Sequence, residues 1–450
     1  MPESNQSLLS AINQANPAMI MPSESASEYM IDNLQPSLVV KPHAVNEVCD
    51  LLKWSSAESQ KVVPWGGGTQ ITLGNPPEQL DVVMDLGELN EIISFQPADL
   101  TVSVQAGITL DDLQNKLKTA DKFLPLEAPL SNRATIGGIL SSSSSGPLRH
   151  TYGLPREWLI GLKIISAQGM ETKSGGQVVK NVTGYDLNKL YTGSLGTLGV
   201  IVEAIFKLAP RPSNHSVILA SFASHVEAIE SGQYLLQQIY GPQGLHVINS
   251  IAGSHLFNQG THDNRAYQLV AIFTGRTRAI NRRLRESADL LKTLGAEFML
   301  EASGSEAINI VGNLKDLGHT ETNPSTLRIN INFPPSYSKE VADWLMKDDF
   351  YHINPDQPND PIGQVIDIGF GYGSLIFWDH IEPRTDDIVR LRTFLTSLGG
   401  SAIIEQCPLY LKKEIDIWGD AISGTDIMRE LKRNFDPSRT LNPGRFLSGI

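Results

Sequence analysis

The chain has 450 residues, 41% hydrophobic and 19% charged, which suits a globular protein large enough for two or three domains. Asp and Glu number 49 against 36 Lys and Arg, and the formal charge of −13 argues against nucleic acid and anionic membrane surfaces as partners while leaving protein partners open. Two cysteines, Cys49 and Cys407, cannot build a four-cysteine iron–sulfur site, and no run approaches the ~18–20 apolar residues of a membrane-spanning helix.

Residues 1–30 read as an N-terminal extension with a short helix near Ser7–Gln14. Met1–Ile20 has no Lys or Arg and no long apolar core, so neither a secretory signal nor a transit peptide is expected, and the address is taken as cytoplasmic. Leu38–Val40 is strand-like. Val48, Leu51, Leu52 and Trp54 recur at helical spacing, with Cys49 expected as a buried apolar residue on that helix. Short strands follow at Lys61–Pro64 and Val82–Leu86, and Leu100–Ala106 alternates as a half-buried strand does. Thr109 with two Asp behind it opens a helix to Ala120. Leu159–Ser166 and Val200–Leu208 are strands, and Pro210-Arg211-Pro212 closes this part of the chain. From Val217 the texture alternates. Strand-like runs (Val217–Phe222, Tyr267–Phe273, Leu327–Phe333, Ser374–Trp378) are separated by helical ones (Val226–Ile239, Ala279–Leu294, Ile388–Leu398), which predicts a mixed sheet with helices against it. Asp426–Phe435 is a last helix, stopped by Asp436-Pro437.

Between the strands sit four clusters of small residues: Pro64-Trp65-Gly66-Gly67-Gly68-Thr69, Ala134-Thr135-Ile136-Gly137-Gly138 with Ser141–Gly146, Gly184–Leu187, and Gly193–Val200. Any one could be a turn. Four in order describe a backbone making room for a bulky anion, since glycine permits close approach and successive amides form phosphate-holding nests. A nicotinamide-binding Rossmann fingerprint would need a different glycine spacing at the head of a helix.

These clusters, together with Gly176–Leu187 and the tail Phe435-Asp436-Pro437 to Leu441-Asn442-Pro443-Gly444-Arg445-Phe446, resemble the FAD-binding domains of the PCMH (vanillyl-alcohol oxidase) type, and within it the E subunits of bacterial glycolate oxidases. The resemblance covers residues 38–212 and the last twenty, and is weak between 215 and 430. It implies an α+β fold: a two-subdomain PCMH-type FAD-binding domain at 31–212, a mixed α/β cap at 213–430, and a tail at 431–450 that returns to the FAD domain. It implies FAD contacts from Pro64, Trp65, Gly66, Gly67, Gly68 and Thr69 at the pyrophosphate. Thr135, Gly137, Gly138, Ser142, Ser143, Ser145 and Gly146 are implied beside the isoalloxazine. Gly196, Thr197, Gly199 and the backbone of Val200, Ile201 and Val202 are implied at the flavin's pyrimidine edge, with Asn442 from the tail. Arg445 is expected as an ion-pair or phosphate neighbour. Some relatives attach FAD through a His in the first loop; none stands here, so a dissociable FAD is expected. Lys180 and Asp186 belong to the shared pattern, Asp186 with a bland alternative as the cap of helix Leu187–Tyr191.

The substrate side is thinner. Oxidising a 2-hydroxy acid such as glycolate needs a base and a cation for the carboxylate. Relatives acting on such acids carry a motif close to H-x-G-D-G-N-x-H, and the matching stretch, Asp367–Leu375, holds no His. Arg328, Tyr372 and His380 are the remaining candidate catalytic residues; no metal site is expected. The absent motif suggests an FAD-carrying subunit that works beside a homologous catalytic flavoprotein and an iron–sulfur subunit. The alternatives are a self-sufficient dehydrogenase and a flavin-fold scaffold without redox work.

Overall fold

The structure, a computed structural model, describes residues 19–176, 185–257, 267–319, 326–346, 362–378, 385–420 and 422–450. Ser7–Gln14, Lys180 and His380 lie outside the described residues. The chain divides into two compact units: one formed by residues up to Ser145, Leu154–Arg211 and Asp416–Ile450, the other by Gly146–Gly153 and Pro212–Ile415.

The first unit holds two sheets. Strands β1 (Leu38–Val40), β2 (Val62–Trp65) and β3 (Val82–Asp85) form a parallel sheet in the order β1-β3-β2. Helix Val45–Ala57 covers it with Val48, Leu51 and Leu52. Each such side chain contributes about 1.5–3 kcal/mol when fully buried. An antiparallel sheet follows from β4 (Ile92–Gln96), β5 (Thr101–Gln105), β7 (Leu159–Ile165), β8 (Glu171–Gly175) and β9 (Val200–Lys207), in the order β4-β5-β9-β7-β8. β6 (Lys122–Phe123) and β10 (Ala209–Pro210) form a separate antiparallel pair. Helix Leu110–Lys118 starts where the sequence places it, with the Thr109 hydroxyl accepting from the Asp112 amide at 3.1 Å.

Two readings change here. Residues 19–30 are no extension: Met19, Ala26 and Tyr29 are buried, and Ile20 bridges to Val40. The Gly/Ser stretch after Thr135 is not all loop. Ile136–Ser142 is helical, because the Thr135 N-cap and the burial of Ile136, Ile139 and Leu140 outweigh the poor helix propensity of glycine and serine.

The second unit is one eight-stranded sheet: β11 (Asn214–Phe222), β12 (Gly244–Ile248), β13 (Tyr267–Gly275), β14 (Phe298–Ser303), β15 (Leu327–Asn332), β16 (Ile362–Asp367), β17 (Tyr372–Phe377) and β18 (Ser401–Gln406). Its order is β14-β11-β13-β12-β16-β17-β15-β18, and every pairing is antiparallel, not mixed. Alternating strands and helices read alike in sequence whichever direction the returning strand takes. Helices His225–Leu236, Thr277–Thr293, Ser305–Asp316 and Thr385–Ser397 alternate with the strands, the first opened by a Ser224–Glu227 capping box. Two boundaries differ from expectation: residues 146–153 group with this unit, and the returning tail starts at Asp416, not at 431.

Candidate functional site

The site grows from the end of β2. Trp65 is held edge-on by Tyr29, ring centroids 5.0 Å apart, and Tyr29 donates to Asp85 Oδ2 at 2.6 Å. Lys41 lies 3.1 Å from the same oxygen. Burial, then the Asp85 carboxylate, pushes the Tyr29 hydroxyl up to about 12, so it stays a donor. Beyond Trp65 the chain turns through Gly66, Gly67 and Gly68. A Cβ on Gly66 would collide with the Thr135 hydroxyl and one on Gly67 with the Arg133 carbonyl, while Gly68 has φ +70°. These glycines are therefore demanded first by protein packed behind the loop, a cause that the sequence reading had assigned to a ligand alone. The same packing leaves the amides of Gly66, Gly67, Gly68, Thr69 and Gln70 with no protein acceptor among the described residues. A run of unpaired amides in such a turn is an anion nest.

The facing wall comes from helix Ile136–Ser142 and the Gly193–Gly199 turn. Gly193 N donates to Leu140 O at 2.8 Å and Leu195 N to Ser141 O at 2.9 Å, which fastens the turn to the helix end. The third wall is the tail. Val62 N donates to Thr440 O and Asn442 N to Val62 O, so the tail runs beside β2 and delivers its residues to the loop that β2 feeds. A buried knot holds it there. Lys432 Nζ donates to Asp436 Oδ2 (2.7 Å), Thr197 O (2.8 Å) and Leu441 O (2.8 Å), and Asp436 also accepts from the Thr440 and Leu441 amides. Burial lowers the Lys432 pKa and the Asp436 charge opposes that shift. Asn442, at φ +46°, donates to Leu195 O at 2.5 Å. Arg445 Nη2 donates to Ile71 O and Leu73 O, each at 2.6 Å.

Two adjoining clefts result, with empty volumes of about 560 and 430 Å³. The first is lined by Pro64, Trp65, Gly66, Gly67, Gly68, Thr69, Thr135, Gly138, Ser142 and Asn442, the second by Gly137, Gly196, Gly199, Val200 and Ile201 as well. The structure thus brings together residues from four separate sequence clusters. Gln70, Ile71, Leu73, Leu86, Ala106, Ser141 and Leu195 line the clefts too and were not among the residues expected to bind, and Arg445, expected as an ion-pair or phosphate neighbour, lines the first. Ser141 and Leu195 stood inside the small-residue clusters, and Leu86 and Ala106 at the ends of expected strands.

Five expected residues line neither cleft. Thr197 is buried beneath the turn, its hydroxyl on Ser194 O and its carbonyl on Lys432. Val202 is a core residue whose carbonyl is taken by the Ala106 amide. Ser143 is the left-handed C-cap of helix Ile136–Ser142. Ser145 ends its stretch of the first unit, and Gly146 belongs to the second. Asp186 stands at the N-cap position but makes no side-chain cap; it pairs with Lys189 at 3.2 Å in solvent.

The candidate catalytic residues that are described lie in the second unit. Arg328 is buried and ion-paired: Nε lies 2.7 Å from Glu405 Oε2 without hydrogen-bond geometry, Nη1 donates to Leu317 O at 2.6 Å and Nη2 to Ser374 Oγ at 3.1 Å. It is a structural cation between β15 and its neighbours, not a free carboxylate holder. Tyr372 carries the Arg149 guanidinium 3.4 Å above its ring. The turn between β16 and β17 is organised by Asp367, whose Oδ1 accepts from the Gly369 and Phe370 amides while its buried Oδ2 has no hydrogen-bond partner. No cluster of three metal-binding side chains occurs among the described residues.

A parallel βαβ layer beside an antiparallel sheet, with a cleft of unpaired amides, defines an anion-binding α+β domain of the kind that takes a dinucleotide. Residues 36–175 match the family described as FAD binding domain. The chain thus carries an FAD-binding domain, and FAD is its cofactor. Glycolate oxidase subunit GlcD of Bacillus subtilis is 33% identical over 187 residues, 42% of this chain and 40% of that protein. Glycolate oxidase subunit GlcE of Escherichia coli is 35% identical over 159 residues, 35% and 44% respectively. D-2-hydroxyglutarate dehydrogenase of Xanthomonas citri pv. viticola is 32% identical over 221 residues, 48% and 47%. The chain spans less than half the length of these relatives. Among solved structures, p-cresol methylhydroxylase with substrate bound superposes at TM-score 0.76 and 17% identity, covering 100% of this chain and 98% of that one. An alkyldihydroxyacetonephosphate synthase gives 0.72 and 18%, covering 98% and 86%. At these identities the two structures speak for the fold.

Proposed function

We propose that the chain is the FAD-carrying subunit of a glycolate (2-hydroxy acid) dehydrogenase complex, an oxidoreductase acting on CH–OH donors. The observation that carries the cofactor half is the run of unpaired amides at Gly66–Gln70, which opens into two clefts that carry no carboxylate, a third beside them being lined by Asp85, Asp112 and Arg133. Loop Gly66–Gln70 and the tail hold the dinucleotide, and Val200 and Ile201 line the space for its ring system. Bound FAD supplies the hydride acceptor for the oxidation. Neither cleft is lined by a His or Cys, which supports non-covalent binding. The observation that favours a subunit over a complete enzyme is the β16–β17 turn. Its one acidic side chain, Asp367, holds two turn amides with Oδ1, the histidines near it (His150 against Gly369, His246 opposite Asp367) come from other segments and not from the motif, and Arg328 is ion-paired to Glu405. A homologous catalytic flavoprotein then oxidises the substrate and an iron–sulfur subunit takes the electrons, in the cytoplasm or at a membrane through those partners. Among the described residues no helix is long and apolar enough to cross a membrane.

The test is the anaerobic visible spectrum of the FAD-loaded protein, purified alone, during addition of glycolate and D-lactate. The reading expects the oxidised flavin band to persist, and to bleach once the candidate partner subunits are added. Bleaching without partners would establish a self-sufficient dehydrogenase, with Tyr372 the first residue to substitute.

A further inference from the structure

Three buried polar atoms on the tail lack a hydrogen-bond partner, Thr440 Oγ1, Asn442 Oδ1 and Arg445 Nη1, the last two on residues that face the cofactor cleft. Both residues line the same cleft as loop Gly66–Gln70. Arg445 is 3% exposed and is the only charged side chain lining either cleft among the described residues. It makes no ion pair there; Asp32 is the one acidic group whose charge acts on it, and burial lowers the guanidinium from its ordinary range to about 10. The rest of the guanidinium is placed by protein. Nη2 is fixed on Ile71 O and Leu73 O, and the Arg445 carbonyl accepts from the Asn75 amide and the Trp418 indole, both at 2.9 Å. A guanidinium tied on one side with a bare N–H on the other is a preorganised half of a charge-assisted bond. Burying it without an ion-pair partner is costly, so the cleft is built to receive an anion.

We infer that Arg445 is a cofactor-binding residue, its free Nη1 donating to a pyrophosphate oxygen of FAD while the amides of Gly66–Gln70 hold the same group. The inference rests on the FAD reading of the cleft and adds the group that neutralises the cofactor's charge. It makes Arg445 part of the site and not only its support, and the two sides of the pyrophosphate cradle come from chain segments more than 370 residues apart.

The experiment is titration of the apoprotein with FAD and, separately, with riboflavin, which has the ring system but no phosphate, following flavin fluorescence. ADP serves as a competitor that has the pyrophosphate without the flavin. Arg445→Gln is expected to weaken FAD about ten- to a hundredfold, the range of a lost charge-assisted bond, while riboflavin binding changes less than threefold and ADP no longer competes. Arg445→Lys keeps the charge but cannot hold the two carbonyls and point a donor at once; it should fall between. It also serves if Arg445→Gln does not fold. Equal weakening of FAD and riboflavin in both variants would make Arg445 a loop staple and overturn the inference with the FAD reading intact. Unchanged FAD affinity in Arg445→Gln would do the same. A parent protein that takes neither FAD nor ADP would bring down the FAD reading itself.

Discussion

Replacing Lys432 with Met tests whether the buried knot of the tail holds the cofactor cleft together. The side chain is 4% exposed and donates three hydrogen bonds, to Asp436 Oδ2, Thr197 O and Leu441 O. Met fills nearly the same volume, so little packing is lost. What remains is Asp436, fully buried, with two amide donors but no cation, and two carbonyls without their donor. Removing one partner of a buried pair costs about 3–5 kcal/mol. With roughly 2–4 °C lost per kcal/mol in a domain of this size, the first unit should melt ~6–20 °C lower. Thermal unfolding of apoprotein, followed by circular dichroism, reads this directly. Asp436→Asn in the same background should recover part of the loss, so the two single costs should exceed the double-mutant cost by about 1 kcal/mol or more. FAD affinity should fall as well, because Thr197 and Leu441 sit directly before the parts of the turn and tail that line the clefts. A Lys432→Met protein that melts within about 2 °C of the parent, or single costs that add without coupling, would refute the reasoning.

Arg328→Ala should destabilise the second unit by about 3–5 kcal/mol, by stranding Glu405, and lower its denaturant midpoint; a stable variant with only a raised KM would return Arg328 to the substrate site. Burial, then the Arg328 charge, lowers His319 to about 4 against an ordinary 6.5. Between those values the unfolded chain binds the extra proton, so this contribution is complete above pH 6.5 and is lost as pH falls toward 4. At most about 3 kcal/mol is at stake, less for the ring's partial solvent contact, and urea midpoints at pH 7 and 5 for the parent and His319→Gln measure it. Gly67→Ala forces a methyl group into the Arg133 carbonyl and should abolish tight FAD binding, seen as free flavin on gel filtration. FAD at a hundred times its Kd should raise the first unit's stability by about 2.7 kcal/mol; a melting temperature indifferent to FAD would count against the cleft.

Much of this protein was legible in its residues, because the signals involved are local. β-branched runs such as Val200-Ile201-Val202 and Val82-Val83 marked strands, Thr109 and its two Asp marked a helix start, and the small-residue clusters marked the loops that line the clefts. Period and capping depend on neighbours a few positions away, so a single sequence carries them. Strand direction does not, and the second unit is antiparallel where alternation suggested a mixed sheet. The role of each charge was equally out of reach. Arg328, on a strand and near the suspected motif, looked available, yet it is ion-paired to Glu405 and donates to Leu317 O and Ser374 Oγ. Arg445, expected as an ion-pair or phosphate neighbour, keeps a guanidinium nitrogen without a hydrogen-bond partner beside the cleft. Whether a buried charge is consumed or free depends on which distant carbonyls and carboxylates the fold brings within about 3 Å of it. That is a property of the tertiary structure, and it decided which arginine belongs to the site.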